Sequence, residues 1–131
     1  GRMQDATLSF ELLRATDTQT ALRLARTLNY LNQRRQQLLE QIIQEARRLI
    51  KGELDEKHQA FLFGSWAKGT ATSKSDVDIA IDGEQSLSDE QLSALRRLLE
   101  TIPTLRKIDL IDLRRVDAEF RQDVLEHAKP L

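Results

Sequence analysis

The chain has 131 residues and a mass of 15.1 kDa, enough for one domain of about 100–150 residues and little more. Apolar residues make up 40% and charged residues 31%, and the net charge is −1, which excludes a polycation built for duplex DNA. With no cysteine and two separated histidines, His58 and His127, disulfides, thiolate nucleophiles and zinc cages are excluded as well, so any chemistry falls to carboxylates and hydroxyls. The charge is unevenly spread. Residues 1–59 carry ten basic and eight acidic side chains, and residues 60–131 carry ten and thirteen. No apolar run approaches the roughly 20 residues of a membrane helix. Gly1-Arg2 ahead of Met3 reads as a tag remnant, and the start lacks a secretory pattern, so the expected compartment is the cytoplasm.

Between Thr18 and Lys51 there is no proline or glycine, and Leu24, Leu28, Leu31, Leu38, Ile42 and Leu49 recur in steps of three and four with Arg35 and Glu45 in the gaps. This predicts a long amphipathic helix, or two stacked ones, with Thr16 and Gln19 as a capping box and Gly52 as the stop. Leu39, Ile43, Ala46 and Ile50 widen the stripe, which places the domain helix at residues 36–51 and leaves an extension or docking arm before it. The expected organisation is therefore a helical extension over 1–35 and a domain over 36–131. Ala60–Phe63 then reads as a buried strand closed by a tight Gly64-Ser65 turn. Asp76–Asp82 alternates as a second strand, with Val77, Ile79 and Ile81 on one face and acids on the other. Ser88 with Gln91 opens a helix that Pro103 ends, Lys107–Leu113 is a third strand, and Asp117 opens a closing helix to about Ala128. The order predicts an α/β or α+β arrangement, with a small sheet flanked by helices.

Asp76 and Asp78, two apart on a strand, present their carboxylates on one face. Such a pair is relieved of its repulsion by raised pKa values or by a divalent cation, and hard oxygens without imidazole or thiolate select magnesium or manganese. Asp109 sits inside the apolar run Ile108-Asp109-Leu110-Ile111 and calls for a partner, which a shared cation supplies. Gly64 allows a phosphate close to the backbone and Ser65 adds a hydroxyl. Together these are the parts for phosphoryl or nucleotidyl transfer by two metals.

The motifs Gly64-Ser65-Trp66-Ala67-Lys68-Gly69, Ser75-Asp76-Val77-Asp78-Ile79-Ala80 and Ile108-Asp109-Leu110-Ile111-Asp112-Leu113 resemble the minimal nucleotidyltransferase (MNT) family of the DNA polymerase β superfamily, over residues 36–131. The resemblance implies a small mixed sheet with helices on it and transfer of a nucleoside monophosphate from an NTP, with ATP preferred, to an acceptor hydroxyl. It implies that Gly64 and Ser65, with Lys68 and Lys74, hold the triphosphate, that Asp76 and Asp78 ligate two Mg²⁺ or Mn²⁺ ions, and that Asp109 ligates one of them and takes the acceptor's proton. Asp112 competes for that third role but falls on the opposite face. Trp66 departs from the pattern, where relatives often carry arginine. The resemblance further implies a helical partner of the HEPN or substrate-binding type, and an antitoxin that adds AMP to a HEPN ribonuclease. Residues 8–51 are similar to the connecting helix of DHH-family single-strand exonucleases, without that family's metal motifs.

Plainer readings stand beside these. Asp109 alone suits a structural ion pair to Lys68 or Arg106, and Trp66 suits packing or partner contact. The leucine stripe suits an oligomer seam, a homodimer through the N-terminal helix among them. The arginine pairs suit solvated faces rather than nucleic acid. A non-catalytic module that masks its partner, or transfer to a small molecule, is the alternative function.

Overall fold

A computed structural model describes residues 17–69 and 75–131. By its packing the chain divides into residues 1–41 and 42–131. Helix α1 (Thr18–Glu53) is one continuous element, in place of the two stacked helices that the sequence also allows. Thr16 lies outside the described residues, and the cap within them is Asp17, whose carboxylate accepts from the Thr20 amide at 2.7 Å and from its hydroxyl at 2.8 Å. Gly52 does not stop the helix. It keeps a negative φ, and α1 runs past it until Asp55, accepting from the Lys57 amide at 2.9 Å, turns the chain.

The second unit holds the sheet. Strands β1 (His58–Phe63), β2 (Val77–Gly83) and β3 (Ile108–Asp112) are joined by a terminal two-residue strand β4 (Lys129–Pro130), and the order across the sheet is β3-β2-β1-β4. β1 runs antiparallel to β2 and β4, while β2 and β3 are parallel and joined through helix α3 (Asp89–Glu100), so the sheet is mixed as expected. Two elements were not expected: β4, and the single helical turn α2 (Ser65–Lys68) that directly follows Gly64.

Alternation along β2 sorts the two faces. Val77, Ile79 and Ile81 are fully buried, and Leu110 of β3, Leu92, Leu95 and Leu99 of α3, and Ala46 and Ile50 of α1 are buried with them. Ser88 caps α3 reciprocally: the Gln91 amide donates to its hydroxyl at 3.1 Å and its own amide donates to Gln91 Oε1 at 3.0 Å. On the other face Ala80 packs with Leu113 and with Val124 of helix α4 (Ala118–His127), which Asp117 caps through the Phe120 amide at 2.7 Å. Helix α4 covers only part of this face. Asp78 and Asp109 lie on the remainder.

Candidate active site

The parallel register pairs Asp78 directly with Asp109, and the antiparallel one pairs Asp78 with Phe63. Two carboxylates on neighbouring strands thus share one face, side by side. Burial, and then the negative charges of Asp109 and Asp76, push the Asp78 carboxyl above its ordinary range, with Lys107 opposing. No described residue donates a hydrogen bond to the Asp78 side chain. Asp109 does have an ion pair, but to Lys107 at 3.5 Å rather than to Lys68 or Arg106. Asp76 lies just ahead of β2 and is exposed.

Gly64 is placed against Asp78. It has φ 74°, in the left-handed region, and a Cβ built on it would stand 2.5 Å from Asp78 Oδ2. The turn after β1 therefore closes directly over the carboxylate, with Ser65 first in α2 and Lys68 exposed at its end. Lys74 lies outside the described residues. Trp66 turns towards β2 and donates its indole N–H to the Asp76 carbonyl at 2.8 Å.

Asp112 pairs with Ile81, not with Asp78, and is 3% exposed on the α3 side. Its carboxylate accepts from the Leu87 amide at 2.7 Å and the Arg114 amide at 2.9 Å, with Arg115 at 3.5 Å. A carboxylate so fully engaged is a structural group, and its geometry separates it from the acids on the open face.

An open cleft of about 710 Å³ contains Asp78 and Asp109 and runs past Phe63, Lys107 and Ile111 to Phe120, which is 43% exposed. The sequence reading did not single out Lys107 or Phe120. Lys107 precedes Asp109 by two and so shares its face, a signal that was available; the approach of Phe120 depends on how α4 is laid down, which no local pattern carries.

The donor set fits a hard divalent cation. Among the described residues no three carboxylates or imidazoles close into a cage; Asp78 and Asp109 face the open cleft, and Asp76 is exposed just ahead of β2. That suits magnesium, which keeps several waters and binds through a few carboxylates together with substrate phosphates.

A family model described as Polymerase beta, Nucleotidyltransferase matches residues 50–131. No curated protein matches the chain significantly in sequence. Among solved structures, the chain is similar to one in a toxin–antitoxin complex with AMP-PNP, at 28% identity and a TM-score of 0.55 over 66% of this chain and 69% of that one. It shares its fold with a chain in a complex of a tri-AMPylated Shewanella oneidensis HEPN toxin and an MNT antitoxin, at 24% identity and a TM-score of 0.52 over 70% and 69% of the two chains. No helix among the described residues is long and apolar enough to cross a membrane.

Proposed function

Because the chain belongs to the Polymerase beta nucleotidyltransferase family, we propose that it transfers a nucleoside monophosphate, AMP from ATP, to a hydroxyl of a helical HEPN-type partner protein, and that it acts as the antitoxin of such a pair. The observation that carries the reading is Asp78 in register with Asp109 on an open face, directly beneath Gly64. The similarity to a chain in a toxin–antitoxin complex with AMP-PNP supports an adenine nucleotide and a toxin–antitoxin pairing.

Asp76, Asp78 and Asp109 hold the cations in this reading, and magnesium or manganese, when bound, neutralises the triphosphate and activates the acceptor oxygen. The bare Cα of Gly64 leaves the phosphates room beside Asp78. Ser65, Lys68 and Lys74 take the outer phosphates. Asp109 accepts the acceptor's proton as the new P–O bond forms at the α-phosphorus and pyrophosphate leaves with the electron pair. Residues 36–131 act as the transferase domain, and the apolar line of the preceding extension pairs with helices of the partner or of a second copy.

The test incubates the protein with Mg²⁺, labelled NTPs and candidate HEPN-type helical proteins, then locates any added NMP by peptide mass. The expected result is NMP on a partner hydroxyl, lost in Asp76→Ala and Asp109→Asn. Complex formation and inhibition without nucleotide or metal, with no NMP added, would establish the masking module instead.

A further inference from the structure

We propose that Trp66 and Arg106 form a clamp on the backbone of residues 75 and 76 that aims the Asp76 carboxylate at the cation, which makes both positioning residues of the transfer site. The inference rests on the metal-binding reading given above.

The three acids differ in what holds them. Asp78 and Asp109 lie inside the β2–β3 ladder, and their directions follow from the pleat. Asp76 lies one residue outside it: the ladder begins with Val77, whose amide donates to the Lys107 carbonyl at 2.9 Å. An exposed residue at a strand end has no pleat to fix it, yet a ligand must be held to within about 0.5 Å of its productive position.

Two side chains supply that restraint. The Trp66 indole N–H donates to the Asp76 carbonyl at 2.8 Å, and Arg106 Nη1 donates to the adjacent Ser75 carbonyl at 3.1 Å. The two also hold each other, because the Arg106 guanidinium carbon lies 5.1 Å from the Trp66 ring centroid, within cation–π range. Trp66 comes from the turn that follows Gly64, and Arg106 from the segment entering β3. Each approach to the acids therefore contributes one jaw, and the metal-ligand backbone at residue 76 is fixed from both sides. Outer partners that orient metal ligands are typically worth about 10- to 100-fold in metal affinity.

Trp66 is the only tryptophan of the chain, so the clamp carries its own spectroscopic reporter. The experiment titrates magnesium chloride alone, without nucleotide, into wild type, Trp66→Phe, Arg106→Lys and Arg106→Gln, following melting temperature in all four and indole emission in those that retain Trp66. In the wild type, emission and melting temperature respond with one midpoint. Trp66→Phe keeps a ring for Arg106 but removes the N–H, and its magnesium midpoint rises about 10-fold. Arg106→Gln raises the midpoint and blunts the emission change, and Arg106→Lys restores part of both. Should Trp66→Phe fail to fold, the two Arg106 variants decide the matter through the same midpoint. A drop in melting temperature that is the same with and without magnesium, with midpoints unchanged, overturns the clamp as a positioning device and leaves it structural. A wild type that neither responds to magnesium nor transfers NMP overturns the metal-site reading itself, and the clamp with it.

Discussion

Replacing Asp78 by Asn should make the metal-free protein more stable, although it removes a central group of the site. Asp78 and Asp109 are register partners on adjacent strands, so their carboxylates lie roughly 5 Å apart on one face. Two unit charges at that distance repel by about 0.8 kcal/mol in water and about 3 kcal/mol at an effective dielectric of 20. The Asp109 side chain is 39% exposed and Lys107 offsets part of its charge, so the lower end applies, about 1 kcal/mol. For a domain of this size that corresponds to a rise of about 3–5 °C in melting temperature. The pH dependence has a definite sign. The carboxyl is held above its unfolded value, so as pH falls the native state takes up this proton before the unfolded chain does; the repulsion is present at neutral pH and disappears on acidification through the native value. The gap between variant and wild type should therefore be open at pH 7 and closed near the unfolded value, about pH 4. Thermal melts in chelator across that range measure it, and magnesium should raise the wild-type melting temperature more than the variant's. A variant that melts at or below wild type at pH 7, or a gap that is unchanged in acid, would refute the argument that unneutralised charge is stored here.

Gly64→Ala places a methyl 2.5 Å from Asp78 Oδ2 at a positive φ, so it should cost about 1–3 kcal/mol in denaturant melts and abolish NMP transfer. Asp112→Ala leaves the buried Leu87 amide and the part-buried Arg114 amide without their acceptor and should destabilise by about 3 kcal/mol, with Asp112→Asn recovering part; urea titration reads both. His58 is held between Asp55 Oδ1 at 2.8 Å and the Gln85 carbonyl at 2.9 Å, and the hydrogen bond with Asp55 raises its pKa above the usual value. Its contribution is complete below pH about 6.5 and is lost as pH climbs through the raised value, so melting temperature should decline on the alkaline side; His58→Gln should flatten that decline, and an unaltered slope in the variant would remove His58 as its source.

The acids of the open face were legible because strand parity is a local rule: Val77, Ile79 and Ile81 announce which way Asp78 points, and the apolar run around Asp109 marks it as an oddity. Parity likewise set Asp112 apart from Asp109. What parity does not carry is the reason, since the hydrogen-bond partner of Asp112 at Leu87 lies 25 residues away and is met only after α3 crosses over. The sequence alone does not choose between Thr16 and Asp17, both good caps, and the contacts of Asp17 to Thr20 are met only in the folded chain. Gly52 reads as a stop from its chemistry alone, yet no αL turn is required where Asp55 supplies the turn. Strand β4 is two residues, Lys-Pro, with no strand propensity, and it forms because the edge of β1 offers Leu62 and Phe61 as partners.

Asp112 also bears on how the face of Asp109 is assembled. A slip of β3 by one residue would swing Asp109 to the α3 side, turn an isoleucine or leucine towards Asp78, and pull Asp112 away from the Leu87 and Arg114 amides. The misregistered sheet would thus lose buried hydrogen bonds at one end of the strand and the acid pair at the other, in a single event. The correct alignment is therefore proofread by a carboxylate on the far side of the sheet, and a destabilised or half-folded chain presents no weakened version of the acid pair, only its absence.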